Sequence, residues 1–219
     1  MKENSGTSMN IGLIFDIDGT LWDATDAIAI SYNKTAERMY GLHTSITGAD
    51  LRALFGREMH EIGERLFTGL SVQAAHDLID QCTVDENVML REIKPEPYPG
   101  VRETLRVLSE EFPLYIVSNC ASGYPESFME ATGTKSCFSG HLCPDDTGCG
   151  KADNIRLLME KEKLDNAIYI GDLDLDMLAA RKAGAGFIHA AYGFGKIAEP
   201  VQKIDSLTEL DTLMIQSAM

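Results

Sequence analysis

Short apolar runs alternate along the chain with longer segments whose apolar residues recur every three or four positions. Short runs with no polar face are typical of parallel strands that are buried on both sides. The longer segments are typical of amphipathic helices that pack on a sheet. This alternation predicts a doubly wound, Rossmann-like α/β domain with a parallel sheet. The predicted strands cover residues 11–15, 113–118, 139–143, 167–171 and 186–191.

Residues 23–94 break this alternation, because they have helical periodicity and no strand pattern. The segment that follows, KPEPYPG at 94–100, contains three prolines and suits a domain boundary. The sequence therefore predicts an α/β core made of residues 1–22 and 95–219, with an all-helical insert at 23–94. We interpret the helical stripe residues as the insert's own core. They are Ile28, Tyr32, Thr35, Met39, Met59, Ile62, Leu66, Val72, Ala75, Leu78, Ile79, Val88 and Ile93.

Composition and charge limit the kinds of molecule that the protein is expected to bind. With 219 residues and 44% hydrophobic residues, the chain can build a full core. The net charge of -15 disfavours nucleic acid and anionic membrane surfaces, which call for basic patches. No apolar run approaches the roughly 18 residues of a membrane span, and the start lacks the apolar region of a signal peptide. We therefore expect a cytoplasmic protein, either a monomer or a homodimer.

Five cysteines at irregular spacing favour free thiols over a disulfide framework. Cys137, Cys143 and Cys149 lie near His141, which raises the alternative of a zinc site. Their spacings of five residues differ from the two to four that are typical of structural zinc pairs. We interpret them as small, partly buried thiols.

Polar side chains follow several predicted strands directly. Ligands of open α/β sheets bind beyond the carboxyl ends of the strands, so these side chains are expected to meet at one edge. Clustered carboxylates repel one another, and a divalent cation with oxygen ligands would offset that repulsion. The residues at this predicted edge are Asp16, Asp18, Thr20, Ser118, Asn119, Asp172, Asp174 and Asp176, together with Lys151 at the start of a predicted helix.

These residues resemble the haloacid dehalogenase-like hydrolase superfamily, in its phosphoglycolate-phosphatase-like branch with a helical cap. The matching elements are DIDGT at 16–20, Ser118–Asn119, Lys151 and GDLDLD at 171–176. They occur in the family's order, and the helical insert falls where that branch carries its cap. The resemblance covers nearly the whole chain and implies a hydrolase with a Rossmann-like core.

The resemblance also implies roles for the acidic residues. Asp16 would be the nucleophile that becomes an aspartyl phosphate, and Asp18 would be the general acid and base. Mg²⁺ would be held by Asp16, the backbone carbonyl of Asp18 and Asp172. Asp176 would orient Lys151 or a metal-bound water. An acid/base at position 18 favours phosphate esters over haloacids, because a halide leaving group needs no proton.

Other residues are implied to hold the substrate. Ser118, the amide of Asn119 and Lys151 would bind the phosphoryl oxygens. Thr20 would hold the first loop by hydrogen bonds. In the predicted cap, Arg57 would pair with a second anionic group of the substrate, and the alternative is an exposed arginine on an acidic protein. Asp23 is interpreted as the N-cap of the first cap helix.

The leading prediction is a Mg²⁺-dependent phosphatase that acts on a small phosphorylated metabolite. A sugar phosphomutase with the same core is the alternative, since cap closure decides whether water reaches the intermediate. A third hypothesis is a phosphate-accepting signalling receiver, which is not an enzyme. Such a receiver would be about half this length, and its accepting Asp would stand where this chain has Ser118.

Overall fold

Six parallel strands form one sheet, in the order β3-β2-β1-β4-β5-β6. The computed structural model describes residues 9–217, so residues 1–8 and 218–219 of the predicted core lie outside the described residues. The doubly wound, Rossmann-like α/β core is confirmed. The strands are β1 (Ile11–Phe15), β2 (Leu114–Val117), β3 (Phe138–Leu142), β4 (Asn166–Gly171), β5 (Gly186–Ala190) and β6 (Lys203–Ile204).

Ten helices accompany the sheet in the described part of the chain, together with a short 3₁₀ turn. The first four lie in the predicted insert, where no described strand occurs. They are α1 (Thr25–Tyr40), α2 (Gly48–Arg52), α3 (Met59–Leu66) and α4 (Val72–Ile93). The core helices are α5 (Val101–Glu111), α6 (Tyr124–Thr132), α7 (Pro144–Thr147), α8 (Lys151–Lys161), α9 (Asp174–Ala183) and α10 (Glu209–Ser217).

Successive residues of β1 point to opposite faces of the sheet, as strand geometry requires. Leu13 and Phe15 are fully buried in a cluster that also contains residues of α5 and α6. Ile14 is fully buried in a second cluster, with residues of α8 and α9. The central strand is therefore covered on both faces, which explains its unbroken apolar sequence.

The helical insert shares a hydrophobic cluster with the first of these faces. Its α4 contacts α6 of the core, and its buried residues belong to the same hydrophobic cluster as Leu13 and Phe15. Four of the stripe residues are exposed instead of buried, so their assignment to the insert's core is wrong. Two of them are the first and last residues of α4. The four are Met39, Val72, Val88 and Ile93.

Among residues 9–217, no helix has both the length and the apolar composition that crossing a bilayer would require.

Candidate active site

Asp16 follows β1 directly and is the first side chain at the carboxyl edge of the sheet. It is only 3% exposed. Lys151 Nζ donates a hydrogen bond to its Oδ2 at 3.0 Å. Its Oδ1 is buried and has no hydrogen-bond partner within the described chain. One carboxylate oxygen of Asp16 is therefore left for a metal ion or a substrate.

The loop after β1 brings Asp172 close to Asp16. Gly19 has a φ of +77°, and a Cβ there would lie 2.3 Å from Asp172 Oδ2. Only glycine allows this backbone conformation and this approach together. The Oδ1 of Asp172 accepts a hydrogen bond from Thr20 Oγ1 at 3.5 Å, and its Oδ2 accepts one from the Phe194 backbone N–H at 2.7 Å.

The surroundings of Asp172 disfavour its ionised form. Burial raises the pKa of Asp172 to about 8, and the neighbouring Asp176 and Asp16 carboxylates add to the increase. The hydrogen bond from Phe194 opposes this increase without cancelling it. A divalent cation is the group that would restore the ordinary acidity of such a carboxylate.

Lys151 lies between two carboxylates. Its Nζ donates to Asp16 Oδ2 at 3.0 Å and to Asp176 Oδ1 at 2.6 Å, and the lysine is 6% exposed. Burial alone would lower the pKa of Lys151, but Asp16 and Asp176 outweigh it and hold the pKa well above its usual value. The second oxygen of Asp176 accepts the backbone N–H groups of Asp172 and Leu173. Asp176 thus fixes both Lys151 and the loop that carries Asp172.

The three carboxylates form a group that fits a metal ion. Ligand oxygens of Asp16, Asp172 and Asp176 all lie within 4.8 Å of one another. Within residues 9–217, no other set of three His, Cys, Asp or Glu residues brings its ligand atoms this close together. The unpartnered Oδ1 of Asp16 and the raised pKa of Asp172 support this fit. Both oxygens of Asp176 already accept hydrogen bonds, from Lys151 and from two backbone N–H groups, whereas Asp16 keeps one unpartnered oxygen, so Asp16 is the better ligand. The cysteines are free, and Cys137, Cys143 and Cys149 do not belong to this group.

Asp18 points toward a pocket rather than toward the metal-binding group. Its Oδ1 accepts a hydrogen bond from the Tyr124 hydroxyl at 2.6 Å. Burial raises the pKa of Asp18 to about 7, the Tyr124 hydrogen bond opposes the increase, and Asp16 adds to it. A carboxyl group with a pKa near 7 can both give and take a proton at neutral pH.

Ser118 and Asn119 follow β2 and reach the same pocket. Ser118 is buried, and Asn119 Nδ2 donates to the carbonyl of Gly56 in the helical insert at 2.8 Å. Arg57 is half-buried at this pocket, and its Nη1 donates to Glu61 at 2.6 Å.

Both parts of the chain contribute to the wall of the pocket. The core supplies Asp16, Asp18, Ser118, Asn119, Cys120 and Tyr124. The insert supplies Tyr32, Phe55, Gly56, Arg57, Met59, Ile62 and Glu86.

The remaining predicted residues lie around this site. Thr20 contacts Asp172 as given above, and its carbonyl accepts the Tyr192 hydroxyl at 2.8 Å. Asp174 is exposed on α9. The N-cap position of α1 falls on Ala24, one residue after the predicted Asp23. The Asp23 carboxylate still accepts the N–H of Thr25 in the first turn, and it pairs with Arg52.

Three pocket residues with a hydroxyl or carboxyl group were not predicted as site residues. Tyr124 begins α6, and Tyr32 and Glu86 lie on α1 and α4, far from the first loop in sequence. Tyr32 falls in an apolar stripe, and Glu86 is one acidic residue among many. A long-range contact places them in the pocket, and the sequence carries no local signal for it.

Comparison with known proteins decides the family. The family model for haloacid dehalogenase-like hydrolases matches residues 13–190. The chain belongs to this family. A phosphoglycolate phosphatase of Vibrio vulnificus strain YJ016 is 30% identical over 97% of this chain and 100% of that relative. One of Agrobacterium fabrum is 28% identical over 93% of this chain and 91% of that relative.

Solved structures support the fold. A haloacid dehalogenase-like family hydrolase from Streptococcus pneumoniae superposes with a TM-score of 0.76 at 22% identity, over 93% of this chain and 97% of that one. The sequence-based assignment to a phosphoglycolate-phosphatase-like hydrolase of this family is therefore confirmed.

Proposed function

We propose that this protein is a Mg²⁺-dependent phosphatase that hydrolyses a small phosphorylated metabolite through an aspartyl phosphate on Asp16. Its family and its relatives together indicate a phosphoric monoester hydrolase. The observation that carries the proposal is the unpartnered Oδ1 of Asp16, which lies beside Lys151 and lines the pocket that holds Asp18.

The reaction has two steps. In the first, Asp16 Oδ1 attacks phosphorus, a bond forms between that oxygen and phosphorus, and the bond to the leaving alkoxide breaks. Asp18 gives its proton to the alkoxide, which leaves as an alcohol. In the second step, Asp18 takes a proton from water as the water attacks phosphorus, and phosphate leaves as Asp16 is regenerated. The raised pKa of Asp18, about 7, suits both roles.

Neighbouring groups hold the phosphoryl oxygens. Ser118 and the backbone N–H of Asn119 would donate to them from the end of β2, and Lys151 would supply a positive charge beside Asp16. Phosphoryl transfer depends mostly on positioning and on charge stabilisation, so these groups would carry much of the catalysis. Tyr124 would hold the Asp18 carboxyl toward the leaving group, since it donates to Oδ1 at 2.6 Å.

A Mg²⁺ ion would be held by Asp16, Asp172 and the backbone carbonyl of Asp18. When bound, it would reduce the repulsion between a carboxylate nucleophile and an anionic phosphoryl group. Thr20 and Phe194 orient Asp172 for this role by their hydrogen bonds. Asp176 would act indirectly, because it holds Lys151 and the Asp172 backbone.

We also propose that residues 23–94 act as a cap over a core formed by residues 1–22 and 95–219. The pocket supports this division, since its two walls come from the two parts. Asn119 and Gly56 join them by a direct hydrogen bond. A cap that closes on substrate would exclude bulk water from the first step.

Chemical trapping tests the intermediate. Borohydride reduces acyl phosphates, so adding it during turnover of p-nitrophenyl phosphate should convert Asp16 to homoserine, detected by peptide mass spectrometry. The matched control is Asp174, an exposed carboxylate at the same edge of the sheet, which should stay unmodified. EDTA should stop phosphate release and Mg²⁺ should restore it. Turnover without any modification of Asp16, or full activity in EDTA, would contradict the proposal.

A further inference from the structure

The pocket wall supplied by the helical insert contains a carboxyl group with no assigned role. Glu86 lies on α4, is 3% exposed and lines the same pocket as Asp16 and Asp18. Its Oε2 has no hydrogen-bond partner in the described structure. Burying an unpaired carboxyl group is costly, so such a group is a strong indication of a missing ligand.

Two further polar atoms of the pocket are in the same condition. The Oδ1 of Asn119 is buried and lacks a partner among residues 9–217, and the buried hydroxyl of Tyr32 lies beside the Glu86 carboxyl without a hydrogen bond of ordinary geometry. The Asn119 amide oxygen can only accept, the Tyr32 hydroxyl can accept as well as donate, and the ionised Glu86 carboxylate accepts at both oxygens. With Glu86 ionised, the pocket therefore has an excess of acceptors.

Three donors of the pocket already make hydrogen bonds within the protein. Tyr124 donates to Asp18, and Asn119 Nδ2 donates to the carbonyl of Gly56. Arg57 Nη1 donates to Glu61, so its charge is already matched by a carboxylate. A bound molecule would thus meet unpaired acceptors on this wall more readily than unpaired donors.

The charge of the pocket agrees with this hydrogen-bond count. Arg57 is the one cationic side chain that lines the pocket within residues 9–217, whereas Asp16, Asp18 and Glu86 are acidic. Burial raises the pKa of Glu86 to about 8, the nearby Tyr32 hydroxyl opposes the increase, and Asp18 adds to it. An anionic group placed beside Glu86 would raise this pKa further, whereas a cationic group would lower it and favour the ionised carboxylate.

The wall also has an apolar part. Phe55, Met59 and Ile62 complete the insert's contribution to the pocket. They offer contact for a short carbon skeleton between the phosphoryl site and Glu86.

We propose that Glu86, with Tyr32 and Asn119, selects phosphate monoesters whose alcohol carries hydrogen-bond donors, as hydroxyl or amino groups, and no carboxylate. This proposal rests on the proposed phosphatase function and names its substrate class. It sets the chain apart from relatives named phosphoglycolate phosphatase, because the alcohol of phosphoglycolate bears a carboxylate.

The test compares three esters of similar size in the presence of Mg²⁺: glycerol phosphate, phosphoethanolamine and phosphoglycolate. We expect kcat/KM for the better of the first two to exceed that for phosphoglycolate by at least about tenfold, since unpaired buried polar groups discriminate strongly. A higher kcat/KM for phosphoglycolate would overturn the proposal. Turnover of p-nitrophenyl phosphate reports separately on the phosphatase function, and calorimetric binding ranks the three esters without turnover.

Glu86→Gln separates the two kinds of donor. An ammonium group would lose its charge partner, so kcat/KM for phosphoethanolamine should fall by about tenfold or more. A hydroxyl group can still donate to the amide oxygen, so glycerol phosphate should lose less. In both cases the ratio of kcat/KM for the better ester to kcat/KM for phosphoglycolate should fall. The matched control is Glu92→Gln, which makes the same change at an exposed position of α4. Unchanged ratios of kcat/KM among the three esters in Glu86→Gln would overturn the proposal.

Discussion

At the scale of single residues, the buried charge of Lys151 is compensated by neighbouring carboxylates. Lys151 is buried between Asp16 and Asp176 and donates to both. Buried ion pairs contribute little net stability when complete, but the loss of one partner is costly because a charge is left uncompensated. The site is therefore sensitive to any change that alters its count of charges.

Lys151→Ala tests this balance. In EDTA, the free energy of unfolding from urea titration should fall by about 3 kcal/mol, because two carboxylates lose their cation. The control is Lys161→Ala at the exposed end of α8, which should change stability by less than about 0.5 kcal/mol. Equal stability of the two variants would show that Lys151 does not compensate Asp16 and Asp176.

Glu86 predicts a pH dependence of stability. Its pKa in the folded protein, about 8, lies above its ordinary value of 4.5, so the folded protein binds the proton more tightly. The contribution of Glu86 to stability is thus fully present below pH about 4.5 and is lost as the pH rises to about 8. Between these values its share of the slope is up to about 1.4 kcal/mol per pH unit.

Glu86→Gln should make the free energy of unfolding less dependent on pH. The measurement is the free energy of unfolding of both proteins from pH 5 to 8 in EDTA, with Glu92→Gln as control. Parallel curves for wild type and Glu86→Gln would mean that Glu86 keeps its ordinary pKa in the folded protein.

At the scale of elements, the loops that follow β1, β4 and β5 pack directly on one another. A Cβ at Gly193, after β5, would lie 2.3 Å from the carbonyl oxygen of Gly19 and 2.4 Å from Asp172 Cβ. Both neighbours belong to the site, so a larger residue at 193 would displace the loop after β1 or Asp172 itself.

Gly193→Ala should therefore lower kcat/KM for p-nitrophenyl phosphate by about tenfold or more while the far-ultraviolet circular dichroism spectrum is retained. Gly69→Ala is the control, because a Cβ there meets nothing within 4 Å. Full activity of Gly193→Ala would show that the loops tolerate displacement.

The strands and helices also show which parts of the fold can be predicted from sequence patterns. Buried strands such as Ile11–Phe15 were predictable, because burial on both faces demands an unbroken apolar run. The two-residue β6 and the five-residue α2 were not predictable, since neither is long enough to show a period.

In the site, Asp16, Asp18, Lys151 and Asp172 follow strand ends or begin a helix and could be found by position. Tyr124 and Glu86 could not, because tertiary packing alone brings them to the pocket.

At the scale of the whole molecule, a chain of net charge -15 buries three carboxylates at one edge of its sheet. Stability without metal should be limited by their repulsion. A metal that binds only the folded state stabilises it by mass action, by about 2.7 kcal/mol at one hundred times its dissociation constant.

Asp172→Asn should raise stability without metal and reduce the stability gained from Mg²⁺. Without metal the variant should be more stable than wild type, since a carboxylate whose pKa is raised to about 8 is removed. With Mg²⁺ the wild type should gain stability and the variant should gain little. Urea titrations with EDTA and with Mg²⁺ measure both effects, and Asp174→Asn is the control. An equal gain from Mg²⁺ in both proteins would remove Asp172 from the metal site.

The central claim is that Asp16 is the nucleophile of a Mg²⁺-dependent phosphatase. The most direct measurement is phosphate release from p-nitrophenyl phosphate by wild type, Asp16→Asn and Asp174→Asn in Mg²⁺. We expect wild type and Asp174→Asn to turn over at similar rates and Asp16→Asn to lose activity by at least about a thousandfold with its fold intact. Activity of Asp16→Asn within tenfold of wild type would contradict the account.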